Sequence, residues 1–424
     1  MSTTTLAPTE PTDPTAPVEG RRRRLPIWFW PAAVLFAIFV LAVLRVITGA
    51  NDLASSGAIG AAIALAVPIA LAGLGGLWSE RAGVVNIGLE GMMILGTWGA
   101  GFFGYHLGPW AGILGGMACG IIGGLIHALA TVTFGVDHIV SGVALNITAM
   151  GIAKYLASRF FTGLPGGGVT QSPQLPSLPR ISVPGVSGPL GELEAKRIFF
   201  VSDLAAVLRG LTTNISAFTI IAILLFVGTF YFLWRTPWGL RLRSCGESPV
   251  AAESLGINVI KYKFLAVATS GALAGLGGAF LALVAANIYR DGQTGGRGYI
   301  GLAAMIFGNW RPGGLAGGAL LFGYTDAARL RGGGATVHAL FLLVAVLLLV
   351  VAAWQIKRGR KVQGYLAALT ALGVAVWWFF SDTLPGELLG ATPYVTTLLV
   401  LAFAAQRLRM PAADGQIYRK GEGH

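Results

Sequence analysis

Of the 424 residues, 54% are hydrophobic and 11% charged, and glycine alone accounts for 62. Soluble domains carry about 25% charged residues, so this chain has too few polar groups to cover a water-facing surface of its size. The formal net charge of +12 does not point to nucleic acid, because the cations fall between apolar runs, where positive-inside topology places them. Two cysteines, Cys119 and Cys245, are too few for a disulfide framework or a metal cage, and the histidines form no HExxH pattern.

Residues 1–26 are rich in Thr, Pro and Glu and end in Arg21–Arg24, which predicts a disordered basic tail on the cytoplasmic side. A span needs about 20 apolar residues. Candidates are 27–48, 56–77, 83–104, 109–134, 138–160, 214–234, 262–287, 337–354, 364–380 and 392–406, the first read as an uncleaved helix. The stretch 299–328 is apolar too, but Gly308, Pro312, Gly313 and Gly314 interrupt it. The basic clusters Arg235/Arg241/Arg243, Lys357/Arg358/Arg360/Lys361 and Arg407/Arg409/Arg419/Lys420 all fall inside only if this stretch crosses an even number of times. A re-entrant pair of half-helices satisfies that. The expectation is therefore an all-α polytopic membrane protein of about ten spans. Its transmembrane domain covers 27–410, and both termini, including the tail 411–424, lie on the cytoplasmic side.

Small residues recur at helix-packing intervals. Gly112, Gly116, Gly120 and Gly124 make a stripe, and Gly271 with Gly275 and Gly313 with Gly317 repeat the spacing. The loop 161–213, rich in Pro and Gly, is external in this topology and either docks a partner or caps the bundle.

Between the sixth and seventh spans lies a polar cytoplasmic segment, 236–261, TPWGLRLRSCGESPVAAESLGINVIK. Ser248 as cap, Pro249 at the first position and Gly256 past the end predict a two-turn helix, Pro249–Leu255. Ala251 and Ala252 make one side small, and Glu247 and Glu253 add charge, which suits insertion into a groove of another protein as well as an ordinary loop helix.

GESPVAAESLGINV, followed by YKFLAVATSGALAGLGGAFLAL, resembles the coupling region of ABC-importer permeases of the branched-chain amino acid, ribose and nucleoside group. LWSERAGVVNIGLEGMMILGTW at 77–98, the broken segment 296–327 and PYVTTLLVLAFAAQRLRMPAADGQIYRKGE at 393–422 resemble that group too, closest to the shorter nucleoside or simple-sugar permease. The resemblance implies a permease subunit of the bacterial plasma membrane that moves nucleosides or related sugars and performs no bond chemistry. It implies ATPase subunits that bind ATP and Mg and seat on Gly246, Glu247, Pro249, Ala251, Ala252, Glu253 and Gly256. It also implies a second, non-identical permease and an external substrate-binding lipoprotein. The helix pair within 337–380 stands outside the compact family pattern. No Gly-Lys dipeptide occurs, so the chain has no phosphate loop of its own.

Polar residues at membrane depth are the candidates for the substrate path. Asn86 and Glu90, four apart, would share a helix face; Asn146 and Thr148 lie on the fifth span, and Asn309 at the break of 299–328. Each of these either contacts substrate or ties helices together; Trp310 is a gate residue or an interfacial anchor. A secondary transporter driven by an ion gradient is the alternative, with Glu90 as its one strong buried carboxylate and no visible inverted repeat.

Overall fold

A computed structural model describes residues 26, 28–393, 395–398 and 408–421. Residues 1–25 of the predicted tail 1–26 and most of the predicted span 392–406 lie outside the described residues. The helices in chain order are α1 (Phe29–Thr48), α2 (Ser56–Arg81), α3 (Leu89–Leu107), α4 (Pro109–Ala128), α5 (His138–Phe161), α6 (Ser187–Ala195), α7 (Val201–Thr212) and α8 (Ala217–Arg235). After these come α9 (Pro237–Glu247), α10 (Pro249–Ser254), α11 (Val259–Phe280), α12 (Arg297–Phe307), α13 (Pro312–Ala327), α14 (Gly333–Lys357), α15 (Lys361–Phe380) and α16 (Gly386–Leu389). Single π turns extend α4 to Thr133, α11 to Ala285 and α13 to Gly332. The described strands are the two-residue pair β1 (Arg180–Ile181) and β2 (Ile215–Ser216), antiparallel at the base of the long loop.

Eight described segments are long and apolar enough to cross a membrane. The chain is an all-α polytopic membrane protein. One end of the bundle carries α9, α10, the α12–α13 turn and residues 408–421; it is called the proximal end below. The other, distal, end carries the 162–216 loop, with α6 and α7 folded over it. That loop is an ordered cap, tied to the bundle by an Arg45–Asp203 ion pair at 2.8 Å and by Ser172 and Leu175 N–H donating to the Tyr289 and Asn287 carbonyls.

The core sits where α2, α3, α4 and α11 cross, filled by Leu71, Leu74, Leu77, Leu273, Leu276 and Phe280 from α2 and α11. Without side chains at the crossing, backbones touch. A methyl on Gly120 or Gly124 of the α4 stripe would overlap the Gly271 or Val267 carbonyl of α11, and one on Gly275 would overlap Gly116 O. Lipid gives helices no hydrophobic reason to associate, so such van der Waals contact carries the packing. Gly313 and Gly317 behave differently from the expectation. Nothing lies within 4 Å of a methyl at either, and it is Gly314 that meets Gly308 across the α12–α13 break.

The third span is also corrected. Helix does not run from 83; the chain is non-helical from 82 to 88 and α3 begins at Leu89, so Asn86 and Glu90 do not share a helix face. α14 and α15 form a peripheral antiparallel hairpin packed mainly on each other.

Gly271→Leu is expected to cost about 1–3 kcal/mol by overpacking and to lower the detergent melting temperature by several degrees. Gly313→Leu, with open space around it, leaves the melting curve unchanged.

Candidate functional site

The non-helical stretch 82–88 runs from the proximal end into the bundle. Asn86 donates to Ser270 Oγ at 2.8 Å, and Ser270 is eleven residues into α11, roughly 17 Å from its start at 1.5 Å per residue. Lipid offers no water to unpaired backbone groups, so this stretch needs partners, and buried side chains supply them. Ser79 Oγ donates to Val84 O at 2.6 Å, and Lys263 Nζ donates to Gly83 O at 3.3 Å. Val85 N donates to His138 Nδ1 at 3.2 Å, while its carbonyl takes a bond from His127 Nε2 at 3.1 Å. A carbonyl only accepts, so His127 carries its proton on Nε2 and its Nδ1 accepts from Ser141 Oγ at 2.9 Å. The two histidines are therefore structural clamps.

Asn146, 5% exposed, is the hub on α5. Its carbonyl accepts from Gly91 N at 2.7 Å, and its amide donates to Ile87 O at 3.0 Å and Tyr299 Oη at 2.9 Å. Beside it, Glu90 lies at the N-terminus of α12, its Oε1 accepting from Gly296 N at 2.9 Å and its Oε2 from Gly298 N at 2.7 Å. A helix N-terminus presents unpaired N–H groups and partial positive charge, so this is a place where a carboxylate is stable inside a membrane. Gly298 is required there: a methyl on it would stand 2.6 Å from Glu90 Cα. Between Gly296 and Gly298, Arg297 pairs with Asp326 at 2.9 Å, and Asp326 also pairs with Arg329 at 2.6 Å, fixing α12 to the distal end of α13. These three charges and Ile300 and Phe322 border a cavity of about 250 Å³.

The structure thus brings Asn86, Glu90 and Asn146 together, with Ser270, Tyr299, Arg297 and Asp326 around them. It does not bring in Thr148, which is exposed on the outer side of α5. Nor does it bring in Asn309, whose Oδ1 accepts from Arg409 N at 2.7 Å at the proximal end. Arg297, Asp326 and Arg329 escaped the sequence reading, although charges bordering an interrupted apolar stretch were the available signal. Ser270 and Tyr299 sat in runs that offered none.

At the proximal end α10 is Pro249–Ser254, one residue shorter than expected, and Ser248 makes no side-chain cap bond. Ala252 is buried against Cys245, Val259 and Tyr418, so it supports the helix from beneath. The outward side is Val250, Ala251, Ser254 and Leu255, the last 81% exposed. Of the other expected contacts, Glu247 and Gly256 are exposed, Pro249 and Glu253 half-buried, and Gly246 buried against the Arg81 carbonyl. Trp310 is not an exposed interfacial anchor: it is 4% exposed, its ring N–H donates to Glu80 Oε2 at 2.5 Å, and Arg81 Nη2 donates to its carbonyl at 2.6 Å. Asp414 packs beside Glu80, Arg81 and Lys263; burial pushes its carboxyl up to about 7, against the pull of the charges of Lys263 and Arg81.

Comparison with known proteins matches residues 58–353 to the family described as "Branched-chain amino acid transport system / permease component". The chain belongs to this permease family. Among curated relatives it is 38% identical over 280 residues to the guanosine ABC transporter permease NupQ of Bacillus subtilis, covering 64% of this chain and 81% of that one. It is 33% identical to the nucleoside ABC transporter permease NupC of Lactococcus lactis, over 84% of this chain and 94% of the other. It is 30% identical to a putative glucose ABC transporter permease of Haloferax volcanii, over 86% and 98%. No solved structure matches.

The family match runs from α2 into α14, so α15 lies beyond it. As a permease the chain is a non-enzymatic, multi-pass membrane subunit. Among the described residues no three His, Cys, Asp or Glu side chains stand together to hold a metal ion. Glu90 and Asn146 bond to backbone N–H and C=O groups at the broken helix, and Asn86, Arg297 and Asp326 bond to other side chains around it.

Two outcomes test this geometry. Glu90→Ala strips two N–H groups of their acceptor and lowers stability by about 1–3 kcal/mol, with Glu90→Gln intermediate, read as melting temperatures in detergent. The folded chain keeps the Asp414 proton up to about 7, whereas an unfolded carboxyl releases it near the ordinary 3.8. The folded state then binds more protons between these values, so stability falls as pH rises through that window. Asp414→Asn flattens the pH dependence of melting.

Proposed function

We propose that this permease is the membrane subunit of an ATP-driven bacterial importer of nucleosides, with simple sugars as the wider substrate class. The named relatives support the substrate class, two of them being nucleoside or guanosine permeases and one a putative glucose permease. The observation that carries the mechanism is α10. It projects from the proximal end with Val250, Ala251, Ser254 and Leu255 outward, an apolar tip on a polar surface, which suits a groove on a partner.

In this reading the proximal end is cytoplasmic. The Lys357–Lys361 turn and Arg235, Arg241 and Arg243 lie there, in keeping with the positive-inside rule. Two ATPase subunits, which bind ATP and Mg, seat on α10 of this chain and on the matching helix of a second, non-identical permease. The occurrence of two paralogous nucleoside permeases, NupB and NupC, in Lactococcus lactis supports such a pair. A substrate-binding lipoprotein delivers ligand to the distal cap. Gly246, Glu247, Pro249, Glu253 and Gly256 frame the docking surface, and Ala252 shapes it from below.

The substrate path runs along the outer side of α5. Thr148, Gly151, Lys154, Tyr155 and Ser158 are all exposed there. A lipid-facing surface does not carry a lysine at such depth, so this side meets the mate or water. Asn86, Glu90 and Asn146 stand behind that wall and hold it, and Asn309 holds the proximal break.

Leu255→Glu is expected to reduce co-purification of the ATPase subunits and to cut nucleoside uptake into membrane vesicles at least tenfold. Undiminished ATPase binding and uptake in this variant would sink the docking role of α10.

A further inference from the structure

Residues 408–421 contain no regular secondary structure, yet Pro411, Ala413 and Asp414 are buried. Followed along the chain, the segment touches four different parts of the proximal end. Arg409 N donates to Asn309 Oδ1 in the α12–α13 turn at 2.7 Å. Ala412 N donates to Glu247 Oε2 at 3.3 Å and Ala413 N to Gly246 O at 2.9 Å, both at the end of α9. The Ala413 carbonyl and Gly415 lie against the Gly83–Val85 turn that opens the non-helical stretch. Tyr418 joins the apolar cluster beneath α10, with Lys263 Nζ 5.8 Å from its ring centre.

These contacts close a ring. Glu247 Oε1 stands 3.8 Å from Arg81 Nη1, and Arg81 holds the carbonyl of Trp310, the neighbour of Asn309. The α12–α13 turn is thus joined to α9 twice, through Arg81 and through residues 409–412. That turn is conformationally special: Asn309 and Trp310 are consecutive non-glycine residues with φ of 56° and 51°. Such backbone persists where its surroundings over-determine it and is a usual place for two-state movement. From the turn, α12 runs eleven residues, about 16 Å, to the N-terminus that Glu90 holds.

We infer that residues 408–418 are a strap that transmits movement of the α9–α10 pair to the α12–α13 turn, and through α12 to the Glu90 site in the middle of the membrane. The strap contributes no substrate contact; Arg409, Ala412 and Ala413 are positioning residues that act through their N–H groups. This rests on the reading of α10 as the ATPase dock.

The test uses the full complex, this chain with its mate permease and ATPase subunits, in proteoliposomes supplied with ATP and a loaded binding protein. Arg409→Pro and Ala413→Pro each remove one strap N–H and leave the cavity beside Arg297 and the outer side of α10 untouched. The expected result is retained ATPase subunits and continued ATP hydrolysis, with nucleoside taken up per ATP hydrolysed falling at least fivefold. An unchanged ratio in both variants overturns the strap, even where melting temperature drops, because packing alone moves the melt and not the ratio. Loss of the ATPase subunits from both variants also overturns it, by making the segment an assembly element. Should the unaltered chain hold no ATPase, the reading of α10 fails instead, and that result is separate from the other two.

Discussion

The molecule depends on a backbone that leaves its helix and enters the bundle without one. Between Arg81 and Leu89 the chain abandons the i to i−4 ladder, and hydrocarbon cannot replace the lost bonds. Much of the buried polar inventory follows from this. Ser79, His127, His138, Lys263 and Asn146 spend their donors and acceptors on residues 83–87. Glu90, where the helix resumes, meets the mirror problem in α12, an N-terminus with unpaired N–H groups, and one carboxylate answers two of them.

Two kinds of contact hold the rest. In the α2, α3, α4 and α11 crossing, glycine lets backbones meet, and nothing polar is needed. At the distal half two ion pairs and one triad tie elements together, Arg45–Asp203, Arg209–Glu194 and Arg297–Asp326–Arg329. Removing one member of a buried pair leaves the other uncompensated, which is costlier than never having had it. The dry glycine crossing and the charged distal half therefore flank one irregular element, α12 with its turn.

How far the sequence disclosed this varies by element. Most of the spans, the break within 299–328 and the α10 helix were legible because hydropathy and Pro/Gly punctuation act locally. The Gly112–Gly124 stripe was legible because its partner glycines, 271 and 275, had the same period. Gly83 and Gly88 hint at a local opening, but the full extent of 82–88 was not legible, because VVNIGLEGMMIL has helical hydropathy throughout and its unwinding is compensated by residues as distant as Asn146, Lys263 and Ser270. The i, i+4 reading of Asn86 and Glu90 still joined two residues that belong to one site, though the helix it assumed is absent. Ala252 looked like a docking residue for its size; its small volume in fact lets α10 settle onto Cys245 and Tyr418. The packed segment after 408 looked like a tail because its partners are all far away in the chain.

α12 is anchored at both ends, to Glu90 at one and to the Trp310 knot at the other. A helix turns about 100° per residue, so its two ends keep a fixed phase only at one length. Insertion or deletion of a single residue within Arg297–Phe307 would swing Gly298 away from its carboxylate while the far end stayed clamped. The length of this short rod is thus a quantised quantity, and drift in it is closed to the chain in a way that drift in α14 or α15, which float at the rim, is not.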